Sequence, residues 1–215
     1  MINNIFEKYK NKHKGQTAAL FGSGPSLNAY KPLDGIDINV GTNFIGNHHL
    51  FKGDAQLLDY YFFGDRGRCM DKSYKVNFAK FGASEVDGRE HPLHYSYDEI
   101  LAFGAEPMSV TNTYPQFHLD IAKNPTHGVS VIFHALNFLF YVGVKKIYII
   151  GCDCSSRECF DGNDIINSGP TGTYDGCKVG WVNAKRFIKE NKLECEIISV
   201  NPVGLKGFFK EIEIN

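Results

Sequence analysis

Residues 128–153 read GVSVIFHALNFLFYVGVKKIYIIGCD, and this stretch decides the fold. From Gly128 to Tyr141 the run is apolar nearly all round, which predicts a helix buried on both sides rather than one with a wet face. Gly143 stands where a helix end commonly needs a left-handed backbone. Val144 to Ile150 is then a continuous β-prone segment that closes on Gly151-Cys152-Asp153. Helix, short turn and apolar strand make half of a βαβ unit, and such strands belong to parallel sheets covered on both faces.

The same pattern extends in both directions. Gln16–Phe21 reads as a buried strand running into Gly22-Ser23-Gly24-Pro25-Ser26-Leu27. Ile36–Val40 leads into Gly41-Thr42-Asn43, and Leu57–Phe63 into Gly64-Asp65. Trp181–Asn191 has helical spacing, and Leu193–Val200 is a last strand before Asn201-Pro202-Val203-Gly204. Residues 66–105 are loosely patterned and predict irregular connections with one or two short helices. Residues 154–180 are rich in Gly, Asp, Asn and Ser, which predicts a lid or binding loop. The expectation is an α/β fold: a single Rossmann-like domain over residues 1–215, its sheet mostly parallel with helices on both faces. Ligands of such sheets sit beyond the carboxyl ends of the strands, where this chain collects its Gly, Ser, Thr, Asn and Asp.

Composition bounds the function. Of 215 residues 43% are hydrophobic and 22% charged, which suits a folded soluble protein. Twenty-three Lys and Arg against 24 Asp and Glu leave a net charge of −1, which argues against a nucleic-acid binder. No apolar run reaches the roughly 18 residues of a membrane span, and the basic start MINNIFEKYKNKHKG lacks the apolar core of an export signal. The expected location is the cytoplasm. Peripheral contact of the basic start with an anionic membrane and assembly of several copies stay open. Six cysteines fit reduced thiols, and the C-x-C-x4-C cluster of Cys152, Cys154 and Cys159 is not a usual zinc spacing, so no metal site is expected.

The motifs each admit two readings. In GSGPSL, Gly22 and Gly24 would let the backbone approach a phosphate and a following helix start would supply N–H donors, or the segment is a tight turn with Pro25 opening the next one. It is neither a dinucleotide fingerprint nor a Walker loop. Thr42 and Asn43 offer a hydroxyl and an amide for a ribose or base edge, or a cap. Asp65 and Asp153 lie just past strands and could accept from sugar hydroxyls, hold a cation, act as a base or cap a turn. No Asp-x-Asp occurs, which weakens schemes built on a metal–diphosphate clamp. Among eight histidines His134 reads as core, and His118 gives no signal either way. His127 stands at the expected amino end of the buried helix, where the dipole would hold it neutral as a donor or base, or it is a capping-region residue without a role.

Taken together, GSGPSL, Thr42-Asn43 and Thr126-His127-Gly128-Val-Ser…Gly-Val-Lys-Lys-Ile-Tyr-Ile-Ile-Gly-Cys-Asp153 resemble the bacterial sialyltransferases of glycosyltransferase family 42. They also resemble the wider group of motility accessory factor glycosyltransferases and hydroxymethylpterin diphosphokinase-like proteins. The resemblance spans roughly residues 16–153. It implies a Rossmann-like domain that binds a nucleotide, as CMP-sugar. By position Gly22, Ser23, Gly24 and Ser26 would line phosphate and ribose, and Asn43 would bond the nucleotide. Thr126, His127 and Gly128 would meet the cytosine or sugar, and Asp153 would close the adjoining strand. The catalytic His of those enzymes has no counterpart between Gly151 and Asn215, so either another group, with His127 and Asp65 the candidates, serves as base, or the chemistry is not sialyl transfer.

Three functions follow as expectations. The first is a metal-free glycosyltransferase with a nucleotide-sugar donor and a glycan acceptor. The second is a diphosphokinase that needs Mg²⁺ on Asp65 and Asp153 and acts on a small alcohol such as a pterin. The third is a non-catalytic nucleotide-binding protein of a surface-polysaccharide pathway.

Overall fold

The computed structural model describes residues 4–51, 58–64, 75–85, 97–102, 104–111, 114–128, 130–154, 159–161 and 172–214. Among these, nine strands form one sheet: β1 (Thr17–Phe21), β2 (Ile38–Thr42), β3 (Tyr60–Phe63), β4 (Ala79–Glu85), β5 (Glu106–Thr111), β6 (Thr126–His127), β7 (Lys146–Ile150), β8 (Glu196–Val200) and β9 (Lys210–Ile212). Their spatial order is β6-β5-β4-β3-β2-β1-β7-β8-β9, and every pairing is parallel. The chain therefore lays down six strands in one direction, crosses back, and continues from β1 in the other. This is the Rossmann-like α/β architecture, with its switch point between β1 and β7.

The strands are apolar on both faces because both faces are covered. Ala18, Leu20, Val40, Tyr60 and Phe62 enter one core, while Ala19, Phe21, Tyr61, Phe63 and Ile150 enter the other. Over the first face lies α2 (Val131–Tyr141), every residue of which is buried. It packs on β1, β2 and β3 from one side. From the other comes α3 (Gly172–Glu190), whose Trp181 ring meets Phe133 with centroids 5.1 Å apart. The expected helix buried on both sides is thus present, starting at Val131. Among the described residues the third α-helix is α1 (Tyr97–Ala102).

At the start of the chain Phe6 and Tyr9 enter the core against Phe81 and Phe138. Lys8 and the Tyr9 hydroxyl both donate to Glu106 Oε1, at 2.9 and 3.1 Å. No described helix is long and apolar enough to cross a membrane.

Three expectations need correction. The helix read as Trp181–Asn191 begins at Gly172, so the second part of the expected loop 154–180 is helical. Its glycines hid it, but Gly180 is a packing residue: a Cβ there would lie 2.3 Å from Phe133 Cζ. The region 66–105 contains β4, whose Lys80, Gly82 and Ser84 break the apolar run that marks a buried strand. The segments after β1 and β2 are short 3-10 turns, Pro25–Ala29 and Asn43–Asn47, rather than helices.

Candidate functional site

Beyond β1 and β7 the chain makes one tightly built corner. Gly22 N–H donates to Ile150 O and Gly24 N–H to Gly151 O, both at 2.8 Å. A Cβ on Gly22 would lie 2.6 Å from Gly151 O, and one on Gly24 2.5 Å from Asp153 Oδ2. Gly151 itself has φ +66, a conformation that glycine adopts without penalty. The glycines do allow a close backbone approach, but to the end of β7. Ser26 completes the corner: its N–H donates to Asp153 Oδ2 at 2.8 Å and its hydroxyl donates to Asp153 Oδ1. Asp153 is buried, and its own carbonyl accepts from Gly204 N–H at 2.7 Å.

The N–H groups of Gly22, Gly24 and Ser26 all donate within the protein. With a five-residue 3-10 turn in place of a helix, no macrodipole of consequence stands behind them. Ser23, half-buried like Gly24, Pro25 and Ser26, stands at the rim of this corner. Its carbonyl accepts from Phe160 N–H at 2.8 Å, and its hydroxyl lies 3.9 Å from Cys159 Sγ. Asn28 Nδ2 donates to Phe160 O at 2.8 Å, and Asn28 Oδ1 in turn lies 3.1 Å from His48 Nε2. Because Leu50 N–H donates to His48 Nδ1, the ring proton sits on Nε2 and the imidazole is neutral. Burial, with His49 beside it, pushes its pKa down to about 4. Residues 159–161 are thereby clasped onto the turn after β1.

One strand further, Thr42 is buried and its hydroxyl donates to Phe21 O at 2.9 Å, tying β2 to β1. Asn43 has φ +49, and its Oδ1 accepts from Gly64 N–H at 3.3 Å, which carries the site across to the end of β3. Asp65, the second candidate base, lies outside the described residues.

The third group stands at the sheet edge. Thr126 and His127 form β6, five strands from β1, which at about 4.8 Å per strand is about 24 Å measured along the sheet. Thr126 is fully buried, its hydroxyl 3.5 Å from Ser109 O. His127 is half-buried on the edge strand, not on the first turn of α2. Its pKa is lowered, but burial and the neighbouring His118 do this, in place of the expected helix dipole. The two imidazole centroids are 5.1 Å apart, and burial lowers His118 as well. Asn137 fixes the backbone of His118 from α2, Oδ1 accepting from its N–H at 3.0 Å and Nδ2 donating to its carbonyl at 2.8 Å. Gly128 turns the chain back towards β1 to β3, close against Phe133 and His134.

Two histidines that the motifs do not announce flank these groups: His48 beside the turn after β1, and His118 beside His127 at the far edge of the sheet. His118 carried no pattern, because its neighbour comes from a strand that pairs only in the fold. His48 stands in a loosely patterned stretch that predicts a solvated ring; the fold instead buries it, with Phe160 4.9 Å away ring to ring. Among the described residues no group of three His, Cys, Asp or Glu converges as a cation site. No family model, curated protein or solved structure matches the chain.

Proposed function

We propose that the chain is a glycosyltransferase whose donor is a nucleotide-activated sugar, CMP-activated in its best-supported form and sialic-acid-like, and whose acceptor is a surface glycan. The observation that supports this reading is His127: a half-buried imidazole whose pKa burial lowers, at the end of edge strand β6, five strands from β1 in a sheet with a Rossmann switch point. A neutral imidazole can take the proton of an acceptor hydroxyl as that oxygen attacks the anomeric carbon. Ser23 and Asn43, at the ends of β1 and β2, are the polar groups placed for the nucleotide. Burial, and to a lesser extent His118 beside it, lowers the His127 pKa and so favours the neutral ring.

Asp153 supports the transferase over the Mg²⁺-dependent diphosphokinase. Both its carboxylate oxygens are engaged by Ser26, so it is built as a strut of the corner and not as a cation ligand.

The test is thermal stabilisation by CMP, CDP, UMP, UDP, AMP and ATP, each with and without Mg²⁺. Cytidine nucleotides alone should raise the melting temperature, and without metal. Stabilisation by ATP only with Mg²⁺ would overturn the proposal in favour of the diphosphokinase, and silence across the panel in favour of a protein without nucleotide chemistry.

A further inference from the structure

Because every pairing is parallel, the residues that lead into the strands lie at one end of the sheet, opposite the carboxyl ends that build the corner. That end is basic. Residues 8–14 read KYKNKHK ahead of β1, Phe78 stands ahead of β4, Glu106 opens β5, and Lys123 and Lys145 stand just ahead of β6 and β7. Phe6, Tyr9 and His13 are buried while Lys8, Lys10, Lys12 and Lys14 are exposed. The segment is fastened down. His13 Nε2 lies 2.6 Å from the Tyr60 hydroxyl and Nδ1 2.7 Å from Gln16 Oε1. The N–H groups of Asn11, His13 and Gly15 donate to the carbonyls of Tyr141, Val142 and Gly143 at the end of α2. The lysines are therefore a fixed array on a folded surface.

Printed on that surface is one continuous patch. Lys8 and Lys12 flank the Tyr9 ring, Nζ 5.1 and 5.2 Å from its centroid, and Lys12 Nζ also lies 4.3 Å from the Phe78 centroid. Lys10 and Lys123 share Asp120, at 3.8 and 3.5 Å, and Lys8 meets Glu106 at 2.9 Å. Lys12, Lys14 and Lys145 enter no ion pair among the described residues. Even with Glu7, Glu106 and Asp120 set against them, the six lysines leave a local positive excess in a chain whose net charge is −1. Phe78, beside Lys12, is 51% exposed.

We propose that this end of the molecule docks on an anionic lipid bilayer, its lysines among the headgroups and the Phe78 ring at the boundary beneath them. Charge complementarity supplies the attraction, since anionic headgroups draw lysines held within a Debye length of the surface. An apolar ring bordered by lysine stems suits the headgroup boundary, where the stems lie along apolar groups and the ammonium heads stay wet. A planar surface meets this end alone, so the acidic remainder of the chain is held off from the lipid. The candidate site at the carboxyl ends of the strands then faces away from the membrane. None of this rests on the proposed transfer.

The experiment floats the full chain with vesicles of phosphatidylcholine alone and with about 30% phosphatidylserine added. The chain should float with the anionic vesicles only, and sodium chloride at about 0.5 M should release it. The double variant Lys12→Gln and Lys14→Gln should lower the partition coefficient about tenfold with an unchanged melting temperature. Phe78→Ala should weaken the binding as well, whereas Lys178→Gln, at an exposed lysine of α3, should not. Equal flotation with neutral vesicles, no flotation with either, binding that the double variant retains, or capture by poly(U) in preference to the vesicles would overturn the proposal. Flotation of the wild-type chain needs no variant, so a misfolded substitution cannot obscure the result.

Discussion

Asp153 and Ser26 are joined twice, backbone N–H to Oδ2 and hydroxyl to Oδ1, and this pair bolts the turn after β1 to the end of β7 at the switch point of the sheet. Two elements separated by more than half the chain thereby become one rigid corner.

Asp153→Ala leaves the Ser26 N–H and hydroxyl without their acceptor in a half-buried place, and the expected cost is about 2–3 kcal/mol of stability. Ser26→Ala keeps the backbone bond and should cost about half as much. Urea unfolding of the two variants checks both size and order. Equal costs would mean that the hydroxyl carries the whole interaction.

Gly180→Ala should destabilise by about 1–3 kcal/mol, since the added methyl meets the Phe133 ring across the α2–α3 contact. Phe133→Leu in the same chain should return part of that loss, because the two sites share one space and their effects cannot add. A double-mutant cycle on unfolding free energies reads this out.

Activity should depend on neutral His127. Its pKa lies below the ordinary 6.5, so the rate should rise with pH through a limb centred below that value and level off before neutrality. His127→Gln should lower turnover by about 10²–10⁴-fold. His118→Gln removes a neighbour that lowers His127, so the limb should move to higher pH while activity at pH 8 persists. An unmoved limb in His118→Gln would show that another group titrates.

Acid should loosen the clasp on residues 159–161. His48 has a folded-state pKa of about 4 against 6.5 for the free side chain, so the unfolded chain binds the extra proton first. The stability that neutral His48 contributes is full above pH 6.5 and is lost as pH falls from 6.5 towards 4. A proton on Nδ1 would also expel the Leu50 N–H bond. His48→Gln should therefore flatten the fall in melting temperature between pH 7 and pH 5, though His13, His118 and His127, also lowered, retain part of it.

The sequence carried the parallel sheet because β1, β3 and β7 are short, mostly apolar runs, β2 and β8 carry Ile and Val about one or two polar residues, and all five run into Gly or Asn. It did not carry β4, where polar side chains interrupt the run, nor β6, where two residues give no pattern at all. The corner was legible as a cluster of glycines and an aspartate at strand ends. What the glycines approach was not, since Gly22 faces Gly151, 129 positions along the chain, and only pairing of β1 with β7 brings them together. The opening of α3 was hidden for the opposite reason: Gly172, Gly176 and Gly180 weaken the local helix signal, while the Phe133 ring demands one of them.

Consumption of a CMP-activated nonulosonic acid, followed as CMP release in the presence of EDTA, tests the central claim most directly. The wild-type chain should release CMP, faster with a glycan acceptor present, and His127→Gln should lose that release while keeping the stabilisation by CMP. Release that needs Mg²⁺, or that His127→Gln leaves intact, would contradict a metal-free transfer with His127 as its base.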